Sequence, residues 1–229
     1  MIMKLDWDTD FFGYPVGKME LAASTSFDLT EFKKNAEFFS MVYLFSKEEL
    51  SDLPDCFHFA DKKITFTRDT ERIENKNRFS SIRSFKEKNA DSLLDLAMIC
   101  GVYSRFNLDK NFTNNEYKRL YTQWVNESVT RNIAKDVFIY KKDDKILGFI
   151  TLGEKNDCAN IGLISVAEDG RGKGIGTLLI KHVIYHSFLS GYSQINVVTQ
   201  MDNVDAYKFY KRNGFRVTDI SYIYHYWNK

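Results

Sequence analysis

The chain has 229 residues, with 32 Lys and Arg against 31 Asp and Glu, a net charge of +1. So weak a field draws in neither nucleic acid nor an anionic membrane surface, and an anionic ligand has to be met by local groups. The length allows one large domain or two small ones with a substantial core, and without eighteen consecutive apolar residues no helical span of a bilayer is expected.

The first residues, 1–8, meet an acidic pair before any apolar core could form, so a signal peptide is not expected. Residues 5–15, Leu-Asp-Trp-Asp-Thr-Asp-Phe-Phe-Gly-Tyr-Pro, read as a turn-rich aromatic segment running into a short strand at 16–21. A helix is expected over 28–38, capped by Asp28 or Thr30, followed by strands at 41–45 and 63–67. The charged stretch 68–78 lacks large aliphatics apart from Ile73, which places a boundary near residue 78 between a smaller N-terminal α/β unit, 1–78, and a second unit, 79–229.

After that boundary come a short strand at 80–85, a helix ending near Gly101, a loop at 104–109 and a helix over 117–129. Strands at 137–140 and 146–152 flank a polar hairpin turn, and a third follows at 161–166. A glycine-dense loop then leads into a helix that runs to about residue 190. A strand at 194–200, a short helix capped by Asn203 and ended by Asn213-Gly214, and two final strands with a turn near Thr218-Asp219 complete the chain.

Cys56, Cys100 and Cys158 are odd in number, widely separated and without a Cys-x-x-Cys pair, and read as thiols of a cytoplasmic protein, with neither disulfides nor zinc. His182 and His186 are one helical turn apart with no third acidic ligand nearby, so a solvated helix flank is expected and no metal is assigned.

The glycine loop is the strongest chemical signal. Gly172, Gly174 and Gly176 alternate with other residues after Arg171, between a strand and a helix. Glycine reaches positive φ and exposes backbone N–H groups, and the helix adds the positive end of its dipole, so the loop can cradle a phosphate. No Lys follows the last glycines, which excludes a Walker loop, and Gly-x-Gly-x-x-Gly fails from either Gly170 or Gly172. Arg-x-x-Gly-x-Gly fits, at Arg171, Gly174 and Gly176. Farther on, Asn203, Ala206 or Tyr207, and Tyr210 share a helical face ahead of Gly214-Phe215.

The loop and the Asn-x-x-Ala-x-x-x-Tyr-x-x-x-Gly-Phe pattern resemble those of the GNAT superfamily of N-acetyltransferases. The resemblance implies an α/β (α+β) fold with a mixed twisted sheet over 79–229; whether residues 1–78 repeat part of it is not visible in the sequence. It further implies acetyl-coenzyme A as co-substrate, its pyrophosphate held at Arg171, Gly172, Lys173, Gly174, Ile175, Gly176 and Thr177. The pantetheine would pair along Ser165, Val166 and Ala167, with the Val166 N–H polarising the thioester. Asn203 and Tyr207 would complete the cofactor site, and Tyr210 would protonate the leaving thiolate. A separate nucleophile is neither needed nor evident. Asp8, Asp10 and Glu127 are unranked candidates for a base.

Trp7 and Phe11-Phe-Gly13, Ser104-Arg-Phe106, Tyr121-x-Gln-Trp124 and Thr199-Gln200-Met201 resemble one branch of that superfamily, the acetyltransferases of dTDP-4-amino-4,6-dideoxyhexoses. That implies a nucleotide-sugar substrate, with Arg105 as a fork to its pyrophosphate or a core residue. Tyr121 or Trp124 would stack on base or sugar, core packing being the other reading of Trp124. Acetylation of another amine (a protein terminus, amino acid or drug) and a non-catalytic acyl-CoA-binding module are the alternatives; a homodimer is compatible with all of them.

Overall fold

Apolar residues recur on both faces of the central strands because helices cover the sheet on both sides. The computed structural model describes residues 1–22, 27–51, 53–74 and 79–228, and among these ten strands form one mixed sheet. In chain order they are β1 (Met3–Lys4), β2 (Val16–Glu20), β3 (Met41–Ser46), β4 (Phe57–Asp69), β5 (Ile82–Ser84), β6 (Asp136–Lys142), β7 (Lys145–Lys155), β8 (Cys158–Val166), β9 (Gln194–Gln200) and β10 (Arg216–Trp227). The helices are α1 (Asp6–Phe12), α2 (Leu29–Ala36), α3 (Leu94–Cys100), α4 (Arg105–Leu108), α5 (Glu116–Val129), α6 (Ile175–Leu189) and α7 (Val204–Arg212).

Across the sheet the order is β1-β2-β3-β10-β4-β9-β8-β7-β6-β5. The last strand, β10, lies between β3 and β4, and β4 pairs on its other edge with β9. Elements from both sides of the expected boundary therefore build one sheet; residue 78 itself lies outside the described residues. On β7, Phe149 packs with Val137 and Ile139 of β6 beneath α3 and α5, while Ile150 and Leu152 pack beneath α6 against Leu179, Ile180 and Val183.

Three local expectations are corrected. Residues 6–12 form a helix rather than turns: Asp6 and Asp8 sit in its first turn, Trp7 stacks on Phe11 one turn later, and Gly13 closes it at φ 82°. The 104–109 loop contains the single helical turn α4, whose start is capped by Ser104 Oγ accepting from the Phe106 N–H at 3.3 Å. The two final strands are one strand, β10. Its register shifts between Val217 and Asp219, where the turn was expected, so a bulge bends the strand without reversing it.

A second irregularity shapes the molecule more. Ile150 pairs with Ile164 and Leu152 with Ile161, so β8 carries one residue more than β7 across this interval. The buried Leu163 N–H, displaced from the ladder, donates instead to Thr151 Oγ1 at 2.8 Å. At the same place β8 leaves its parallel neighbour β9: their pairing is confined to Ala159–Ile195, Asn160–Asn196 and Ile161–Val197. Beyond Ile161 the two strands diverge. Thr151→Val keeps the volume but strands the Leu163 N–H, and unfolding in urea should show a loss of about 1–3 kcal/mol.

Candidate active site

The divergence of β8 from β9 opens a cleft of about 950 Å³. Its lining includes Tyr210, a member of the core beneath α6 and α7, and Tyr121, a member of the core beneath α3 and α5. One cavity is thus walled by residues from both faces of the sheet, and the gap between the strands joins them.

One wall is the free edge of β8. The Ala167 N–H donates to Leu147 O at 2.9 Å, so residues 167 and 147 form a hydrogen-bonded pair. Antiparallel alternation then makes Val166 and Gly148 the non-bonded pair, and the Val166 N–H turns away from β7 toward the gap. Ile164 O, facing the same way, accepts a hydrogen bond from Cys100 Sγ at 3.2 Å. Burial pushes the Cys100 thiol up to about 12, so it remains protonated and serves as a donor.

The glycine loop closes this end. Gly172 and Gly174 adopt φ of 73° and 77°, and at both positions the space a side chain would fill is open. Gly174 caps α6, whose ladder begins with Leu178 N–H donating to Gly174 O at 3.0 Å. The preceding helical amides, at 175–177, have no acceptor within the helix. At Gly176 a Cβ would lie 3.2 Å from the Phe209 ring, so its lack of a side chain lets α6 and α7 approach closely. Arg171 and Gly176 line the cleft, whereas Gly174 and Thr177 line an adjoining groove with Arg72 and Lys181. Lys173 is exposed on the loop and Ile175 is buried in the core.

On α7, Asn203 caps the helix by accepting from the Ala206 N–H at 3.1 Å. Tyr210 is only 4 % exposed, packed on Phe66 and Phe215 at ring separations of 5.5 and 5.7 Å. Burial, reinforced by nearby Cys100, raises its phenol above the usual tyrosine range and keeps the proton on the oxygen. Tyr207 does not join the cleft lining; its ring packs edge-on against Phe66 at 5.4 Å.

The opposite end is built by β3, β4, α1 and α4. The Arg105 guanidinium lies over the rings of Tyr43 and Phe106, 4.6 and 4.7 Å from their centroids, and makes no salt bridge among the described residues. Its buried Nε has no hydrogen-bond partner among the described residues. Tyr43 OH donates to Asp8 Oδ1 at 3.2 Å, fixing the ring beneath the cation. Deeper still, fully buried His225 pairs through Nδ1 with Asp109 at 2.6 Å, and Trp227 Nε1 donates to the same carboxylate oxygen at 2.9 Å. Burial, with Arg105 adding to it against the pull of Asp109, holds His225 down at about 4, so its ring is neutral. Tyr121 and Trp124 meet edge to face at 5.0 Å; both line the cleft, Tyr121 buried and Trp124 half-buried.

Of the expected bases, Asp8 lines the cleft, while Asp10 and Glu127 lie along a separate groove. Sequence reading missed Asp61 and Lys63, which reach the cleft from β4. Their signal was present: extending the 63–67 strand back by two residues puts an acidic side chain in line with Lys63 on the same face. His182 also departs from expectation, since its ring packs on Phe138 at 4.5 Å rather than facing solvent.

A sequence profile of the acetyltransferase (GNAT) family matches residues 100–215. The chain belongs to this family. Acetyl-coenzyme A is the acyl donor of the fold, and the open glycine cradle at the start of α6 fits a pyrophosphate. Among individual relatives, dTDP-fucosamine acetyltransferase of Escherichia coli O6:H1 is 27% identical over 139 residues, 60% of this chain and 59% of that protein. The spore coat polysaccharide biosynthesis protein SpsD of Bacillus subtilis is 22% identical over 139 residues, 61% of this chain and 48% of that protein. The matches thus span about half to three-fifths of these relatives' lengths. A crystal structure of a functionally unknown conserved protein from Staphylococcus epidermidis superposes with a TM-score of 0.61 at 12% identity, covering 94% of this chain and 85% of that one, a likeness of fold.

Gly174→Ala puts a side chain at positive φ, a strain of about 1–2 kcal/mol. Calorimetric titration with acetyl-CoA should show affinity lowered about five- to thirtyfold, with circular dichroism unchanged.

Proposed function

We propose that the protein is an acetyl-CoA-dependent N-acetyltransferase whose acceptor is the amino group of a nucleotide-linked amino sugar, with a dTDP-4-amino-4,6-dideoxyhexose the best match. The observation that carries this reading is the charge arrangement of one cleft: a neutral phenol at the donor end and, at the other, Arg105, without a salt bridge among the described residues, with Lys63 nearby. A guanidinium held over aromatic rings and without a salt bridge among the described residues is suited to a diphosphate, which it can bind through two parallel hydrogen bonds. The half-buried indole of Trp124 and the exposed ring of Trp7, both on the cleft, supply faces for a base or a sugar. The names of two relatives, an acetyltransferase of a dTDP-sugar and a polysaccharide biosynthesis protein, agree with that substrate class.

Acetyl-CoA supplies the acetyl group as a thioester. The Val166 N–H, turned into the gap, donates to the thioester carbonyl and stabilises the charge that develops there as the amine adds. Tyr210 holds its proton within the dry end of the cleft and gives it to the departing sulfur. Burial makes the phenol a weaker acid, but a thiolate expelled into the same surroundings is a correspondingly stronger base. The amides of residues 172–177 hold the pyrophosphate, and Arg105 the sugar nucleotide, so that the two reactants meet at the opening between β8 and β9.

Tyr210→Phe preserves the ring packing and removes the proton; kcat should fall about 100- to 10,000-fold while acetyl-CoA binding is unchanged, measured by thiol release and calorimetry. An acyl-CoA-binding module without catalysis would show no turnover to lose. Titration with dTDP should give saturable binding that Arg105→Ala weakens about ten- to a hundredfold, the loss of a charge-assisted hydrogen bond; no binding at millimolar dTDP would remove the nucleotide-sugar reading.

A further inference from the structure

Transfer to an amine needs a group to take the ammonium proton, and the cleft contains one carboxylate suited to it. Asp61 is 7 % exposed, lines the cleft, and its carboxylate accepts no hydrogen bond among the described residues. The other acidic side chains are engaged or misplaced. Asp8 is held by Tyr43 OH, Asp109 is taken by His225 and Trp227, and Asp205 is exposed on the first turn of α7. Asp10 and Glu127 lie in another groove. A side chain so largely withdrawn from water, left unbonded by its own protein and with its carboxylate open to the cleft, is placed to receive a ligand's cation there.

We propose that Asp61 receives the acceptor's ammonium group and acts as the general base of the transfer, a role that rests on the N-acetyltransferase reading above. It accepts one proton from R–NH3⁺, becoming a neutral carboxyl. The freed amine lone pair forms the C–N bond at the thioester carbonyl and the C–S bond breaks. Tyr210 protonates the sulfur, and the second proton lost by the nitrogen restores the phenol. Asp61 then releases its proton to solvent, so that the net products are the amide, free thiol and one proton.

The electrostatics agree with this assignment. Burial pushes the Asp61 carboxyl up to about 7, against the opposing pull of Arg105 from α4 and Lys63 from its own strand, with Asp202 beyond β9 pushing the same way as burial. Asp8 of α1, Tyr43 of β3 and neutral His225 of β10 also face Arg105 and complete the polar surroundings. A base titrating near neutrality is matched to accepting a proton there and losing it to water. The same shift has a stability consequence. The folded-state value lies above that of an unfolded Asp, so the contribution of this group is fully present at acid pH and is lost as pH rises through about 7.

The test compares the full chain with Asp61→Asn, using acetyl-CoA and dTDP-4-amino-4,6-dideoxygalactose. For the unaltered protein kcat/KM should fall about tenfold per pH unit below 7. Asp61→Asn should lower it about 100- to 10,000-fold at pH 7.5 and move that acid limb up to the pKa of the amine itself, with acetyl-CoA affinity unchanged and Tm at pH 8 equal or higher. A merely structural carboxylate would instead lower Tm and leave the limb in place. Activity of Asp61→Asn within threefold, with the same pH profile, would overturn the proposal. If the unaltered protein ignores the nucleotide sugar but acetylates a member of a panel of free aminohexoses, amino acids and polyamines, the substrate class falls and Asp61 is judged by the same profile on that amine. Should the variant not fold, or no amine react, ¹³C-NMR titration of the Asp61 carboxyl in the unaltered protein decides: a midpoint near 7 sustains the role, and one near 4 removes it.

Discussion

The cleft of this protein depends on two strands that stop pairing. Through residue 161 β8 and β9 share an ordinary parallel ladder, and beyond it they separate. The extra residue in β8, accommodated by Thr151 Oγ1, bends the strand at the same point. Sheets hide their backbone groups from ligands because each N–H is spent on a neighbour. Here the parting leaves the Val166 N–H facing a cavity, and that cavity communicates with both faces of the sheet. Cys100, which donates to Ile164 O, shows how the structure satisfies the other groups of the same exposed edge.

The cleft is electrostatically divided. At the glycine loop the positive contribution is backbone: amides of the first turn of α6 and the helix dipole, with Arg171 beside them. At the far end it is side chain: Arg105 and Lys63, tempered by Asp8 and Asp61. Between them stands a phenol that burial keeps neutral. An overall charge of +1 is compatible with anionic ligands because each positive feature acts within a few ångströms in a region of low dielectric.

The far end is expensive for the fold. Arg105 has an unsatisfied Nε, His225 an unsatisfied Nε2, and Asp61 lacks a hydrogen-bonding partner among the described residues. Buried groups without partners cost stability, and of these three Arg105 and Asp61 line the cleft, where a ligand can meet them. They are held in place by aromatic packing: Tyr43 lies beneath Arg105 and against His225, and the Phe12–Phe106–Phe112 cluster packs beside them.

The glycine spacing, the Asn203-to-Tyr210 face and the order of strands and helices after residue 80, short of the α4 turn and the unbroken β10, were legible in the sequence because each is local. Positive φ, helix capping and 3.6-residue periodicity depend on residues a few positions apart. Thr218-Asp219 marked a real irregularity, but whether a strand reverses or merely bulges there is decided by its partners, β3 and β4, more than a hundred residues away. For the same reason Tyr207 and Tyr210, close on one helix, take different roles: Tyr210 lines the cleft and Tyr207 does not. The sequence by itself determined the glycine loop, the tyrosine that follows it and the family they mark. Only the tertiary structure decided that β10 inserts between β3 and β4, which carries Asp61 and Lys63 to the cleft opposite Arg105, because burial and charge at a site depend on contacts between distant parts of the chain.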